Sequence, residues 1–303
     1  INMISNFEEL FEQLRNKPKK KLVAAWAVDD HTITAVSLAI KAGIVDGILV
    51  GDEKMINQVC TQENIYPSIF TIIPNDNELK SIAQAVEMVK NGDGDILMKG
   101  LCSTDKYMRG ILNKEKGLLP PKAVLSHVGL VYNPNYHKFI IMTDMAVIPA
   151  PDFKQKIAMT NYVVNTAKAL GIAKPKVAMI AATEQMLVGM PACVEAAMIA
   201  KMSERGQIAG CYIDGPLALD VALSQEAVAI KKLVSPVAGD ADCLVFPNIE
   251  SANVFYKTNS QLCKGVKLAA MVAGAQAPCV LSSRADSIDT KLNSIALAAI
   301  TAK

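Results

Sequence analysis

Short apolar runs alternate with segments of helical periodicity along most of the chain. LVAAWAV (22–28) has the length and β-branched content of a buried strand, and DDHTITAVSLAIKAG after it reads as an acid-capped amphipathic helix ending at Gly43. The same rhythm continues through GILVG (47–51), a helix, FTII (70–73), a helix over about 77–91, DILMKG (95–100) and a further helix. Strands alternating with helices predict βαβ units and a parallel sheet covered on both faces. KPKKK (17–21) reads as a solvated link before the first strand, with contact to an anionic ligand as the alternative.

The rhythm breaks at AVLSHVGLVYNPNYHKFIIMTDMAV (123–147), where two apolar runs flank the turn-rich NPNYH with no helix between them, the signal of a β-hairpin. PAPDFKQ then opens a long helix. Alternation resumes with strands at 176–182, 208–213, 243–247, 266–274 and 278–283, and helices at 191–205, near 224–233, near 250–264 and at the C-terminal end. The predicted organisation is α/β with two α/β domains. The first comprises 1–120 plus 276–303, and the second, carrying the hairpin, comprises 121–275. An apolar hairpin that interrupts the alternation is expected to leave a face and edges for a second subunit to cover.

Composition narrows the class. Hydrophobic residues make up 51% of the chain but aromatics only 5%, so aliphatic side chains fill the core. A net charge of +2 offers no footprint for nucleic acid. The seven cysteines form no CxxC pair, which fits reduced thiols in a cytoplasm. No run has the order of a signal peptide or the length of a membrane span. His31, His127 and His137 are too dispersed to predict a metal site.

Four stretches carry candidate chemistry, one of them DGPLALD (214–220), polar at both ends and apolar between. In DILMKGLCSTDKYMRG (95–110), a strand runs into Gly100, then Ser103 and Thr104, then a helix bearing Arg109. Glycine permits a sharp turn, Ser or Thr caps the helix, and the N–H groups at its start attract an anion, with Lys99 and Arg109 adding charge. Cys102 within this turn is read as a small packing residue, with a nucleophile at a helix N-terminus as the alternative. A second stretch, 235–257, places Asp240 and Asp242 before a strand and Asn248, Glu250 and Asn253 after it. In VLSSRADSIDTKL (280–292), the strand delivers Ser283 and Arg284 to the sheet's C-terminal edge, where open α/β sheets bind ligands. Arginine offers a planar fork to phosphate or carboxylate. Serine donates to developing charge. Asp286 and Asp289 either accept a proton or hold Arg284 and cap the helix.

These stretches, with LMKGLCST, LSHVGLV, YHKFIIMTDMA, KMSERGQIAG, DGPLALD, SPVAGDAD, APCVLSSRADS and SIALAA in order from about residue 95 onward, resemble the phosphate acetyl/butyryltransferase family, its butyryl branch most closely. The resemblance implies reversible transfer of a short or branched acyl group between CoA and phosphate, with CoA as substrate and no cofactor or metal. It implies two domains with a cleft, similar to the isocitrate/isopropylmalate dehydrogenase fold, and a homodimer or larger homo-oligomer. It also implies direct attack of the CoA thiol on acyl phosphate. Ser283 and Arg284 match the family's Ser-Arg pair, and Arg109 matches an arginine assigned to phosphate. Seven residues after the serine, where phosphotransacetylases carry an acid credited with taking the thiol proton, this chain has Thr290. The other classes in view are a phosphate acetyltransferase, a metal- and NAD-dependent decarboxylating dehydrogenase on the same fold, and a non-catalytic acyl-CoA-binding protein.

Overall fold

A computed structural model of the chain describes residues 2–283 and 285–303. The chain divides into two compact units. An N-terminal unit comprises Phe7–Leu125 with Ala269–Lys303, and a central unit comprises Ser126–Leu268 with the residues up to Asn6. The predicted domain change at residues 120–121 and return at 275–276 compare with divisions at 125–126 and 268–269.

The N-terminal unit opens with α1 (Phe7–Arg15), a helix the strand-and-helix reading passes over. Its three buried residues, Phe7, Leu10 and Leu14, recur at helical spacing. Then follow β1 (Lys20–Ala25), α2 (Asp30–Lys41), β2 (Val45–Gly51), α3 (Glu53–Gln62), β3 (Thr71–Pro74), α4 (Glu78–Lys90), β4 (Ile96–Lys99) and α5 (Thr104–Leu112). Lys20 and Lys21, taken as part of a link, begin β1.

The central unit holds β5 (Ser126–Tyr132), β6 (Ile140–Thr143), α6 (Phe153–Ala169), β7 (Lys176–Ile180), α7 (Pro191–Glu204), β8 (Tyr212–Leu217), α8 (Leu219–Leu223), α9 (Gln225–Lys231), β9 (Cys243–Val245) and α10 (Ile249–Leu262). Its strands lie in the order β5-β6-β9-β7-β8. Only the β5–β6 hairpin is antiparallel among these pairs. The hairpin therefore forms as predicted, but its strands are almost wholly buried, and β6 is enclosed between β5 and β9. Its apolar residues belong to the chain's own core, so the expected free hairpin face for a second subunit is not present.

The chain returns to the N-terminal unit through β10 (Lys267–Ala273), β11 (Cys279–Val280) and α11 (Ile288–Thr301). Strand order here is β3-β2-β1-β4-β11-β10, parallel except for β10 against β11. The run 278–283, expected to be strand throughout, pairs only at Cys279 and Val280 before the chain leaves the sheet. α11 is buried along most of its length, with Ile295 and Leu297 fully inaccessible. Each such side chain contributes about 1.5–3 kcal/mol on leaving water.

Candidate active site

Strand order in the N-terminal unit reverses direction between β1 and β4: the chain winds outward through β2 and β3, then restarts on the other side of β1. Loops leaving adjacent strands on opposite sides of such a point open a crevice at the strands' C-terminal ends. β1, β4 and β11 are mutually parallel neighbours, with Ala24 opposite Met98 and Met98 opposite Val280. Lys99, the last residue of β4, and Asp29, Gly100, Ser282 and Ser283, which follow β1, β4 and β11, therefore all lie where parallel strands end at one edge.

Gly100 fits this edge because nothing larger can. A Cβ there would lie 2.2 Å from the Trp26 carbonyl oxygen and 2.5 Å from that of Ala25. The Gly100 and Leu101 N–H groups donate to Ala25 O and Trp26 O at 2.9 and 3.0 Å, locking the loop after β4 onto the end of β1. Lys99 Nζ donates to Gly100 O and Cys102 O, closing the turn from inside. Ser103 caps α5 by accepting from the Lys106 N–H, and Thr104 is the exposed first helical residue. Cys102 is buried, and desolvation raises its pKa, partly offset by Lys99. A thiol in that setting is not poised as a nucleophile.

Beneath this turn, Tyr107 is fully buried, and its hydroxyl lies within hydrogen-bond distance of Leu97 O (3.3 Å) and Val280 O (3.1 Å). It pins α5 under the ends of β4 and β11. Nothing in the sequence marks it out from other core aromatics.

The chain past β11 is shaped by its own polar groups. The Ser283 N–H donates to Asp286 Oδ2 at 2.7 Å, and Asp286 N–H returns a bond to Ser283 O. Ser287 caps α11, accepting from Thr290 N–H, and its hydroxyl donates to Thr290 Oγ1. Thr290 is thus tied into the cap. Asp289 is exposed in the first turn. Arg284 lies outside the described residues. Arg109 sits in the last turn of α5, is 79% exposed, and pairs with Asp105 one turn earlier.

Sequence reasoning missed Lys291. This lysine of α11 is 9% exposed, and its Nζ donates to Ser282 Oγ at 2.9 Å and, more weakly, to Ser283 O at 3.5 Å. Burial lowers its pKa and Lys99 adds to that, while Asp286 and Asp29 pull the other way. Asp29 caps α2 through Oδ2, and its Oδ1 is shielded from solvent with no partner among the described residues. The structure thus brings Lys99, Gly100, Ser282, Ser283 and Asp286 to one edge and adds Asp29 and Lys291.

The acids before β9 have a different part. Asp240 meets Lys138, Lys176 and His137, and Asp242 meets Lys138. They clamp the starts of β7 and β9 to the hairpin. Asn248, after β9, is the N-cap of α10, and Asn253 donates to Met145 O. Asp144, buried beyond β6, accepts from the N–H groups of His127, Ala146, Val147 and Ile148, so its oxygens are occupied in shaping its own loop. Among the described residues no group of three or more His, Cys, Asp or Glu is arranged to hold a metal ion.

Residues 75–299 match the model of the phosphate acetyl/butaryl transferase family. The chain belongs to this family. It is 44% identical over 300 residues to a phosphate butyryltransferase of Clostridium acetobutylicum, covering 99% of each chain. It is 40% identical to a phosphate acetyltransferase of Thermotoga maritima, over 97% of this chain and 99% of that one. Among solved structures, a branched-chain phosphotransacylase from Enterococcus faecalis V583 superposes with a TM-score of 0.82 at 28% identity, over 93% of this chain and 98% of that one. Membership makes the chain an acyltransferase and supports the two-domain α/β expectation.

Proposed function

We propose that the protein exchanges a butyryl or branched short acyl group between CoA and phosphate, as a cytoplasmic homodimer or larger homo-oligomer. The carrying observation is the cationic, hydroxyl-rich edge at the β1/β4 reversal, in a chain 44% identical over nearly its whole length to a phosphate butyryltransferase. In the direction of acyl-CoA formation, the thiolate of CoA attacks the acyl phosphate carbonyl carbon. The C–S bond forms, the C–O bond to phosphate breaks, and phosphate departs with the bonding pair. No acyl group passes through the enzyme. Buried Cys102, with its raised pKa, is consistent with this.

Lys99, Arg109 and Arg284 hold the phosphoryl oxygens in this account, together with the turn from Gly100 through Ser103 to Thr104. Ser283 donates to the sulfur or the developing oxyanion, since its hydroxyl lies at the strand edge and, among the described residues, accepts from the Ala285 N–H at 3.3 Å. A CoA thiol with a reference pKa of roughly 8.5 gains from a proton acceptor at neutral pH. Asp286 or Asp289 takes that proton here, because Thr290 has no carboxyl. Asp286 already spends one oxygen on the Ser283 N–H, whereas Asp289 is exposed at the helix start.

Acyl selectivity is set by small energies, since one methylene in an apolar pocket is worth about 1–3 kcal/mol. The test is a panel of acyl-CoAs of two to six carbons assayed for phosphate-dependent CoA release. A higher kcat/KM for butyryl or a branched four- to five-carbon group than for acetyl is expected. Preference for acetyl would overturn the acyl assignment, and release without phosphate would overturn the reaction.

A further inference from the structure

Lys291 is the feature of this edge that the reaction as described leaves unused. Buried ammonium groups are ordinarily paired, because taking a charge out of water is costly unless a counter-charge meets it. Lys291 is 9% exposed, yet none of the ion pairs among the described residues includes it. Its hydrogen-bond partners among the described residues are neutral: the Ser282 hydroxyl and, at longer range, the Ser283 carbonyl. Asp29 and Asp286 act on it through space, from beyond ion-pair distance, and Lys99 opposes them. An ammonium has three donors, and these two contacts leave one unassigned. The position is also specific. The lysine rises from the start of α11 to the end of β11, beside the β1/β4 reversal where an α/β sheet takes its ligand.

We propose that Lys291 supplies the cationic donor of a phosphoryl subsite at the ends of β4 and β11, completed only when a phosphoryl dianion is bound. The inference rests on the acyltransferase reading and deepens it by naming a residue for the phosphate half of the reaction. Inorganic phosphate and the phosphates of CoA share this chemistry; the strand-end position favours the transferred phosphate.

Two consequences separate this role from a structural one. A lysine kept to brace Ser282 would stabilise the empty protein, so its removal would lower Tm. A lysine kept for an absent anion is a buried charge without a counter-ion, so an apolar isostere should leave the empty protein as stable or more so. Binding of phosphate raises Tm in proportion to the logarithm of its concentration over Kd. The experiment compares wild type, Lys291→Met and Lys291→Gln by thermal unfolding with and without inorganic phosphate, by calorimetric titration with phosphate and separately with CoA, and by steady-state kinetics.

The expected result is a Tm without phosphate equal to or above wild type in the Met variant, loss of its phosphate-induced Tm rise, and phosphate affinity at least tenfold weaker. CoA affinity should stay within threefold, and KM for phosphate should rise more than KM for acyl-CoA. Retention of the phosphate-induced rise in both variants would overturn the proposal. So would a fall in CoA affinity with phosphate affinity intact. If the Met variant fails to fold, the same criteria apply to the Gln variant, and failure of both to fold would assign Lys291 a structural role. Absence of phosphate-dependent turnover in wild type, with phosphate binding still dependent on Lys291, would instead overturn the function and leave the subsite standing.

Discussion

Replacing Gly100 by alanine adds a single methyl group in place of a hydrogen, yet the site should not survive it. The new Cβ would sit 2.2 Å from Trp26 O and 2.5 Å from Ala25 O, with Trp26 C at 2.6 Å. All three are backbone atoms, so no side chain can swing away. Ordinary contact requires the two loops to separate by about 1 Å. That movement stretches the bonds from Gly100 N–H and Leu101 N–H to the end of β1, worth about 1 kcal/mol each. Overpacking adds about 1–3 kcal/mol, giving roughly 3–5 kcal/mol in all. In a unit of this size each kcal/mol shifts Tm by about 2–4 °C, so a fall of roughly 6–20 °C is expected. The same movement carries Lys99 and the start of α5 off position, and about 1 Å of misplacement can cost on the order of a hundredfold in rate. Thermal unfolding and phosphate-dependent CoA release measure the two effects. A Gly100→Ala protein melting within 2 °C of wild type and turning over within threefold would refute the close-approach argument.

Asp240→Asn should destabilise the central unit by roughly 2 kcal/mol, because Lys138 and Lys176 lose a shared carboxylate in a partly buried cluster, although Lys138 keeps Asp242; urea unfolding checks this. Burial opposes ionisation of Asp240 most strongly as a single cause, but the bonds from Lys176, Lys138 and His137 together outweigh it and hold its pKa at about 2, below the usual 3.8. Its folded pKa is depressed, so its contribution is complete above pH ~4 and lost as pH falls toward 2, and the Asn variant should show a flatter loss of stability across that window. Cys102→Ala should keep turnover within a few-fold of wild type, with no thioester on Cys102 by mass spectrometry; an inactive variant together with a trapped thioester would refute direct transfer.

Much of the fold was legible because strand and helix periods differ and alternate regularly here. α1 was passed over because it precedes the first strand and has no βαβ context, although Phe7, Leu10 and Leu14 carry the helical spacing. The hairpin was legible from its turn. Its burial was not, because whether an apolar strand is an edge or a centre depends on β9, which arrives about 100 residues later in the chain. At the site, Gly100, Ser103 and Ser283 were marked by local turn chemistry. Lys291 was invisible for the opposite reason. A lysine in a helix reads as solvated, and only the placement of α11 against β11 buries it. Asp240 and Asp242 were legible as polar residues before a strand, but their pairing with Lys138, Lys176 and His137 depends on the hairpin and β7, which lie far off in the chain.

Acyl transfer at the end of β11 is decided by turnover of butyryl-CoA with phosphate, measured side by side for wild type and Arg284→Gln. An arginine serving only a surface ion pair is worth roughly 0–1 kcal/mol. One that clamps the acyl phosphate in a desolvated site is worth far more. Phosphate-dependent CoA release is expected in wild type, with a loss of at least about a hundredfold in kcat/KM in the variant, corresponding to roughly 2.7 kcal/mol, and an unchanged Tm. A stable Arg284→Gln protein within a few-fold of wild-type activity would contradict it.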